Sequence, residues 1–119
     1  KSAERFTGAM QAYQLSGKRL TTEEEQALDA ILYKSERLLT EENGLPRRSW
    51  YRHQIYAPGF YTGYGVKTLP GIREAIEERT WEEAEEEVAV VAKTLTGFAA
   101  GIDRASALLE RAVPGKNRK

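Results

Sequence analysis

Between Trp81 and Leu109, apolar side chains return at alternating spacings of three and four, through Ala84, Val88, Val91, Leu95, Phe98, Ile102 and Ala105. That rhythm is the period of an α-helix, so the last third of the chain is committed to one long amphipathic helix. Thr80 followed by Glu83 has the capping-box pattern for its start, and Pro114-Gly115 forbids its continuation, which predicts boundaries near 80 and 112. Glu82, Glu83, Glu85, Glu86 and Glu87 crowd its first turns while Arg104 and Arg111 lie late, the order the helix dipole favours. A solvated helix face accounts for the charge run.

The same helix carries Gly97 and Gly101 among Ala92, Ala99, Ala100 and Ala105. An interior glycine costs about 1 kcal/mol relative to alanine, so a closely approaching neighbour is expected, from this chain or from a second copy. Leu95, Phe98, Ile102 and Ala105 are core candidates, with Gly97 and Gly101 admitting that neighbour. A membrane-embedded glycine pair is excluded by Asp103 and Arg104 directly after it. Apolar runs such as Val88 to Ala92 fall far short of the roughly 18 residues a bilayer span needs, so no membrane contact is expected.

Three further helices are predicted. The first covers residues 2 to 14 through Phe6, Met10 and Tyr13, and stops near Ser16-Gly17. The second starts at Thr21 or Thr22 with Glu24 and Glu25 as capping partners. It runs through Leu28, Ile31, Leu32, Leu38 and Leu39, and ends at Asn43-Gly44. A short one runs from Pro70 to about Arg79 with Ile72, Ala75 and Ile76 on one side. The expected fold is all-α: a four-helix bundle with one long aromatic, glycine-containing loop between the second long helix and the short third one.

That loop, Leu45 to Leu69, exceeds the usual helix connection of about 2 to 8 residues. It holds Trp50, Tyr51, Tyr56, Phe60, Tyr61 and Tyr64 beside Pro46, Pro58, Gly59, Gly63 and Gly65. Two readings stand: a packed irregular loop covering the helices, or a loop presented to a ligand or partner.

Catalytic chemistry is hard to assemble from this chain. Its 119 residues suit one domain, and with no cysteine and a single histidine, thiolate catalysis, cysteine zinc sites and multi-histidine metal sites are excluded. His53, set among aromatics with nothing nearby to complete a triad, reads as a hydrogen-bonded packing residue. The grouped carboxylates are explained by helix starts rather than by paired acid–base work. Lys67-Thr68 follows Gly65 at the wrong spacing for a phosphate loop. Arg47, Arg48 and Arg52 interleave with Trp50 and Tyr51, as in single-strand nucleic-acid grips. Eighteen basic against eighteen acidic residues and no reading motif argue against such a partner, and pairing with the Glu-rich helix explains the arginines. No catalytic residue and no metal ligand is expected here.

Gly44-Leu45-Pro46, Tyr51-Arg52-His53, Ile55-Tyr56-Ala57-Pro58 and Leu69-Pro70-Gly71-Ile72, in that order, resemble the C-terminal dimerisation domain of the transferrin receptor and glutamate carboxypeptidase family. The resemblance covers about residues 28–109. It implies that 1–119 is a single dimerisation domain of a larger protein, not catalytic alone. The implied partners are a second copy of itself and an adjacent zinc-peptidase domain, which would hold the zinc. It also implies that the loop after Ala57-Pro58 completes that domain's substrate pocket, with Phe60, Tyr61, Gly63 and Tyr64 as the lining. Where the family has a Lys-Tyr pair for a C-terminal glutamate, this chain has Gly63 and Tyr64, so the cation is missing. An extracytoplasmic setting, secreted or membrane-anchored, is the one the resemblance favours. The alternative is a non-catalytic receptor-like or standalone helical interaction module.

Overall fold

The capping box anticipated at the second helix forms in full. Thr21 Oγ1 accepts from the Glu24 amide at 3.2 Å while the Glu24 carboxylate accepts from the Thr21 amide at 2.8 Å. The computed structural model describes residues 1–61, 63 and 65–113. Its helices are α1 (Ser2–Ser16), α2 (Thr22–Tyr33), α3 (Pro70–Glu77) and α4 (Trp81–Ala112). Gly17 closes α1 with φ 65°, the left-handed conformation glycine adopts without steric cost. Pro114-Gly115, the predicted stop for α4, lies outside the described residues.

Helix α2 is shorter than its apolar pattern predicts. The chain tightens into a 3-10 helix at Ser35–Leu39, where the Ser35 hydroxyl donates to the Leu32 carbonyl at 2.7 Å and Thr40 Oγ1 to the Arg37 carbonyl at 2.6 Å. Such back-bonding hydroxyls compete with the α-helical ladder. Beyond them, Thr40 pairs with His53, and the Leu39 carbonyl accepts from the Gln54 amide at 2.9 Å. Gly44 is left-handed as expected, φ 70°, but it serves the turn after Thr40 rather than a helix end.

The long loop also corrects the all-α expectation. Tyr56–Pro58 (β1) and Val66–Thr68 (β2) pair antiparallel, with Tyr56 opposite Thr68, Ala57 opposite Lys67 and Pro58 opposite Val66. Alternation explains it: Ala57 is buried between exposed Tyr56 and Pro58, the period-two pattern of a half-covered strand. The fold is mostly helical, four helices with a two-stranded hairpin.

The chain forms two compact units, Lys1–Glu36 with the stretch from Phe98 on, and Arg37–Gly97. In the first, Ala9, Leu20, Leu28, Ala105, Leu108 and Leu109 form the core, with Phe6, Met10, Tyr13, Ile31 and Leu32 packed against it. Burial of these side chains is what holds α1, α2 and the end of α4 together. Arg5 closes its edge with a fork onto Glu110, 2.9 and 2.8 Å. In the second unit, the α4 seam splits into two lines. Ala84 and Val91 are buried, whereas Trp81, Val88 and Leu95 are 61%, 51% and 47% exposed. Gly97 is exposed too, and a methyl built on it meets nothing within 4 Å among the described residues. Farther along, Phe98 and Ile102 are half-buried and Gly101 and Ala105 buried.

The start of α4 departs from the capping-box pattern. Thr80 Oγ1 donates to the Ala75 carbonyl at 3.1 Å, and both oxygens of Glu83 accept from Arg47. The final turn of α3 lies directly before α4, so it competes for the Thr80 hydroxyl.

Candidate functional site

The hairpin β1–β2 projects a short tip, and the tip is set by ladder bonds before any side chain acts. The Gly59 amide donates to the Gly65 carbonyl at 3.0 Å and the Gly63 amide to the Gly59 carbonyl at 3.1 Å. Gly63, φ 64°, supplies a left-handed residue that a larger side chain would resist. Phe60 and Tyr61 sit on this tip, their rings edge to face with centroids 4.8 Å apart. Tyr61 is 77% exposed and Phe60 38%. Tyr64 lies outside the described residues.

A buried ion pair beneath the tip anchors it. Arg48 Nη2 donates to Glu74 Oε2 at 2.6 Å, with both side chains less than one-tenth exposed. Each partner then reaches the hairpin: Arg48 Nη1 donates to the Pro58 carbonyl at 2.7 Å, and Glu74 Oε1 accepts from the Phe60 amide at 2.8 Å. The backbone on either side of Gly59 is thus clamped by charge-assisted bonds in a low-dielectric setting. The Arg48 guanidinium also lies 5.4 Å from the Phe60 ring centroid, and that of Arg47 lies 5.9 Å away.

Arg47, left-handed at φ 60°, turns outward and forks onto Glu83, 3.0 Å to each oxygen, with Glu78 at 3.5 Å. Hydrogen bonding to Glu83 raises its pKa above the ordinary arginine value. Along the hairpin, Lys67 pairs with Glu77, and that bond leads the causes that hold the Glu77 carboxyl below its usual range. Pairing of the loop arginines with carboxylates is as the sequence predicted for Arg47 and the Glu-rich helix. Arg48 instead goes to α3.

Glu74 is the residue that sequence reasoning missed. The buried side of α3 is rotated from the apolar side formed by Ile72, Ala75 and Ile76: Ile76 is 49% exposed, while Pro70, Gly71, Glu74 and Ala75 are buried. An acidic residue one step from an alanine gives no signal of burial until its arginine is located.

His53 has a packing role. Its Nδ1 accepts from the Ile55 and Tyr56 amides at 3.3 and 3.4 Å, and its ring lies 4.1 Å from that of Tyr56. Among the described residues no three His, Asp or Glu side chains gather into a metal site. Among those residues, too, no helix is long and apolar enough to cross a membrane.

Comparison with known proteins accords with this geometry. Residues 1–103 match the family model of the transferrin receptor-like dimerisation domain. A probable glutamate carboxypeptidase of Arabidopsis thaliana is 35% identical over 75 residues, covering 57% of this chain and 11% of that protein. A probable glutamate carboxypeptidase of Arthroderma benhamiae is 50% identical over 36 residues, covering 30% of this chain and 5% of that protein. The chain spans only a small part of the length of these relatives. With the family model matched over most of its residues, this chain belongs to the transferrin receptor-like dimerisation domain family and is distantly homologous to glutamate carboxypeptidases.

Proposed function

We propose that this chain is the homodimerisation domain of a glutamate carboxypeptidase-like zinc metallopeptidase, and that its hairpin tip completes the substrate pocket of the adjacent catalytic domain. The observation that carries the second half is the clamp. Arg48 and Glu74 spend a buried ion pair on fixing the backbone beside exposed Phe60 and Tyr61, which is worth its desolvation only if the tip must hold one conformation. For Tyr64, the pocket role rests on the family resemblance. The bundle arrangement of the four helices and an extracytoplasmic setting belong to the same proposal.

Self-association is supported by family membership and by the outward line of Trp81, Val88 and Leu95 on α4. Chemistry would come from zinc held by the neighbouring domain, which supplies a Lewis acid and activates water. This chain's part is to bind and orient.

The test uses the full-length protein. Phe60→Ala and Tyr61→Ala are expected to raise KM for peptide substrates several-fold, with kcat and dimer mass unchanged. Kinetics identical to the unmodified protein in both variants would remove the pocket role.

A further inference from the structure

Among the described residues, three cations beside the hairpin tip are paired with carboxylates of the same chain. Arg48 is matched by Glu74, Arg47 by Glu83 and Glu78, and Lys67 by Glu77. Each of these three cations is therefore paired with a carboxylate of the same chain, Glu77 being shared between Lys67 and Arg73. Among the described residues, what the tip offers outward is aromatic: Tyr61, most of its surface free, with Phe60 set edge-on to it. Gly63 contributes a turn and no side chain. An acidic group approaching this surface would lose hydration and meet guanidinium groups that already face carboxylates of their own chain. An apolar or aromatic group would exchange water for ring contact.

We infer that the tip selects a neutral, apolar or aromatic C-terminal side chain in the peptide substrate, rather than an acidic one. This inference rests on the pocket reading above and adds the substrate class to it. Arg47 is the residue through which the preference would change. Its fork on Glu83 is exposed, and removing the Glu83 charge leaves the guanidinium beside Phe60 held by Glu78 alone, at 3.5 Å, with two donors released toward an incoming carboxylate.

The experiment measures kcat/KM of the full-length protein on N-acylated dipeptides ending in Phe, Leu or Glu. The expected order is Phe and Leu above Glu by about tenfold or more, the size of discrimination a hydrophobic contact provides. Tyr61→Ala should erase most of that gap. Glu83→Gln should raise the rate on the Glu peptide several-fold while the Leu peptide stays unchanged.

A native preference for the Glu peptide overturns the inference but leaves the pocket reading intact, provided Tyr61→Ala still alters KM. Indifference of all three substrates to Tyr61→Ala and Phe60→Ala overturns both. So does a failure to hydrolyse any of them. Circular dichroism and thermal unfolding of each variant establish that it folds, and Tyr61→Phe should retain the order of the unmodified protein.

Discussion

Glu74 holds Arg48 with one carboxylate oxygen and the Phe60 amide with the other, at 2.6 and 2.8 Å, from a position less than one-tenth exposed. Removing either charge strands its partner in the interior, a change that costs about 3–5 kcal/mol. Glu74→Gln and Arg48→Met should each lower stability by about that much, measured as the shift in urea unfolding. The Arg48→Met/Glu74→Gln double variant should lose much less than the sum of the single losses. Additive losses would mean that the pair is not coupled.

Glu87 predicts an inverted pH dependence. Its carboxyl packs against Gly71, where a methyl group would collide with it, and Oε2 is buried with no hydrogen-bond partner among the described residues. Burial, followed by repulsion from Glu83 and Glu86, raises its pKa above the ordinary 4.5. A carboxyl whose folded value is raised binds protons more tightly in the folded state. Its contribution to stability is complete below the unfolded pKa and is lost as pH rises through the folded one. Glu87→Gln should therefore match the unmodified chain near pH 4 and become progressively more stable than it toward pH 7. A difference that stays constant across that range would refute the assignment.

At Gly44 the constraint is steric as well as conformational. Its φ is 70°, and a methyl group there would lie 2.7 Å from the Cα of Ser49, closer than real contacts allow. The turn it belongs to carries Arg47 and Arg48, with the Leu45 amide bonded to the Tyr51 carbonyl at 2.9 Å. Gly44→Ala should destabilise by about 2 kcal/mol or more, the left-handed penalty plus the displaced turn. Unchanged urea unfolding would show that the turn can move aside.

Arg79 invites the opposite change. It ends α3 in the left-handed conformation, φ 60°, in a closure where the Thr80 amide donates to the Ala75 carbonyl and the Arg79 amide to the Ile76 carbonyl, at 2.9 and 3.1 Å. Glycine is the residue this position favours. Arg79→Gly should stabilise the chain by about 1 kcal/mol, seen as a rise in Tm, since it relieves backbone strain without touching the closing bonds.

Much of this was legible in the sequence because it is local. The caps at Thr21 and Glu24, the stop at Gly17, and α4 itself depend on residues within a few positions of each other. The features that were not legible depend on distance along the chain. Leu38 and Leu39 continue a helical pattern, yet α2 ends at Tyr33 and they fall in the 3-10 turn Ser35–Leu39, which leads into the pairing of Thr40 with distant His53. Tyr56 to Thr68 reads as a loop because each strand is three residues long and proves itself only by pairing. Glu74 and Arg48 lie 26 positions apart, and nothing in either neighbourhood marks them as partners.

The α4 seam carries the last prediction. Its nine positions suggest one buried stripe, but Trp81, Val88 and Leu95, seven residues apart, form a line of their own, about half exposed or more. Residues at that interval drift by only about 20° per repeat, so the three side chains stay on one narrow strip. A strip with that spacing suits a second helix lying along it. Within a standard interface of about 800 Å² per partner, one tryptophan supplies about 150–250 Å². Val88→Glu with Leu95→Glu should convert the dimer expected of this family into a monomer in sedimentation velocity, with unchanged helix content. The strip is solvent-facing within the chain, so the fold should tolerate both charges. Leu15→Glu, at an 88% exposed site on α1, should leave the dimer intact. If the paired substitutions leave the mass unaltered, the self-association surface lies elsewhere; if the unmodified chain is already monomeric at high concentration, this domain does not self-associate by itself.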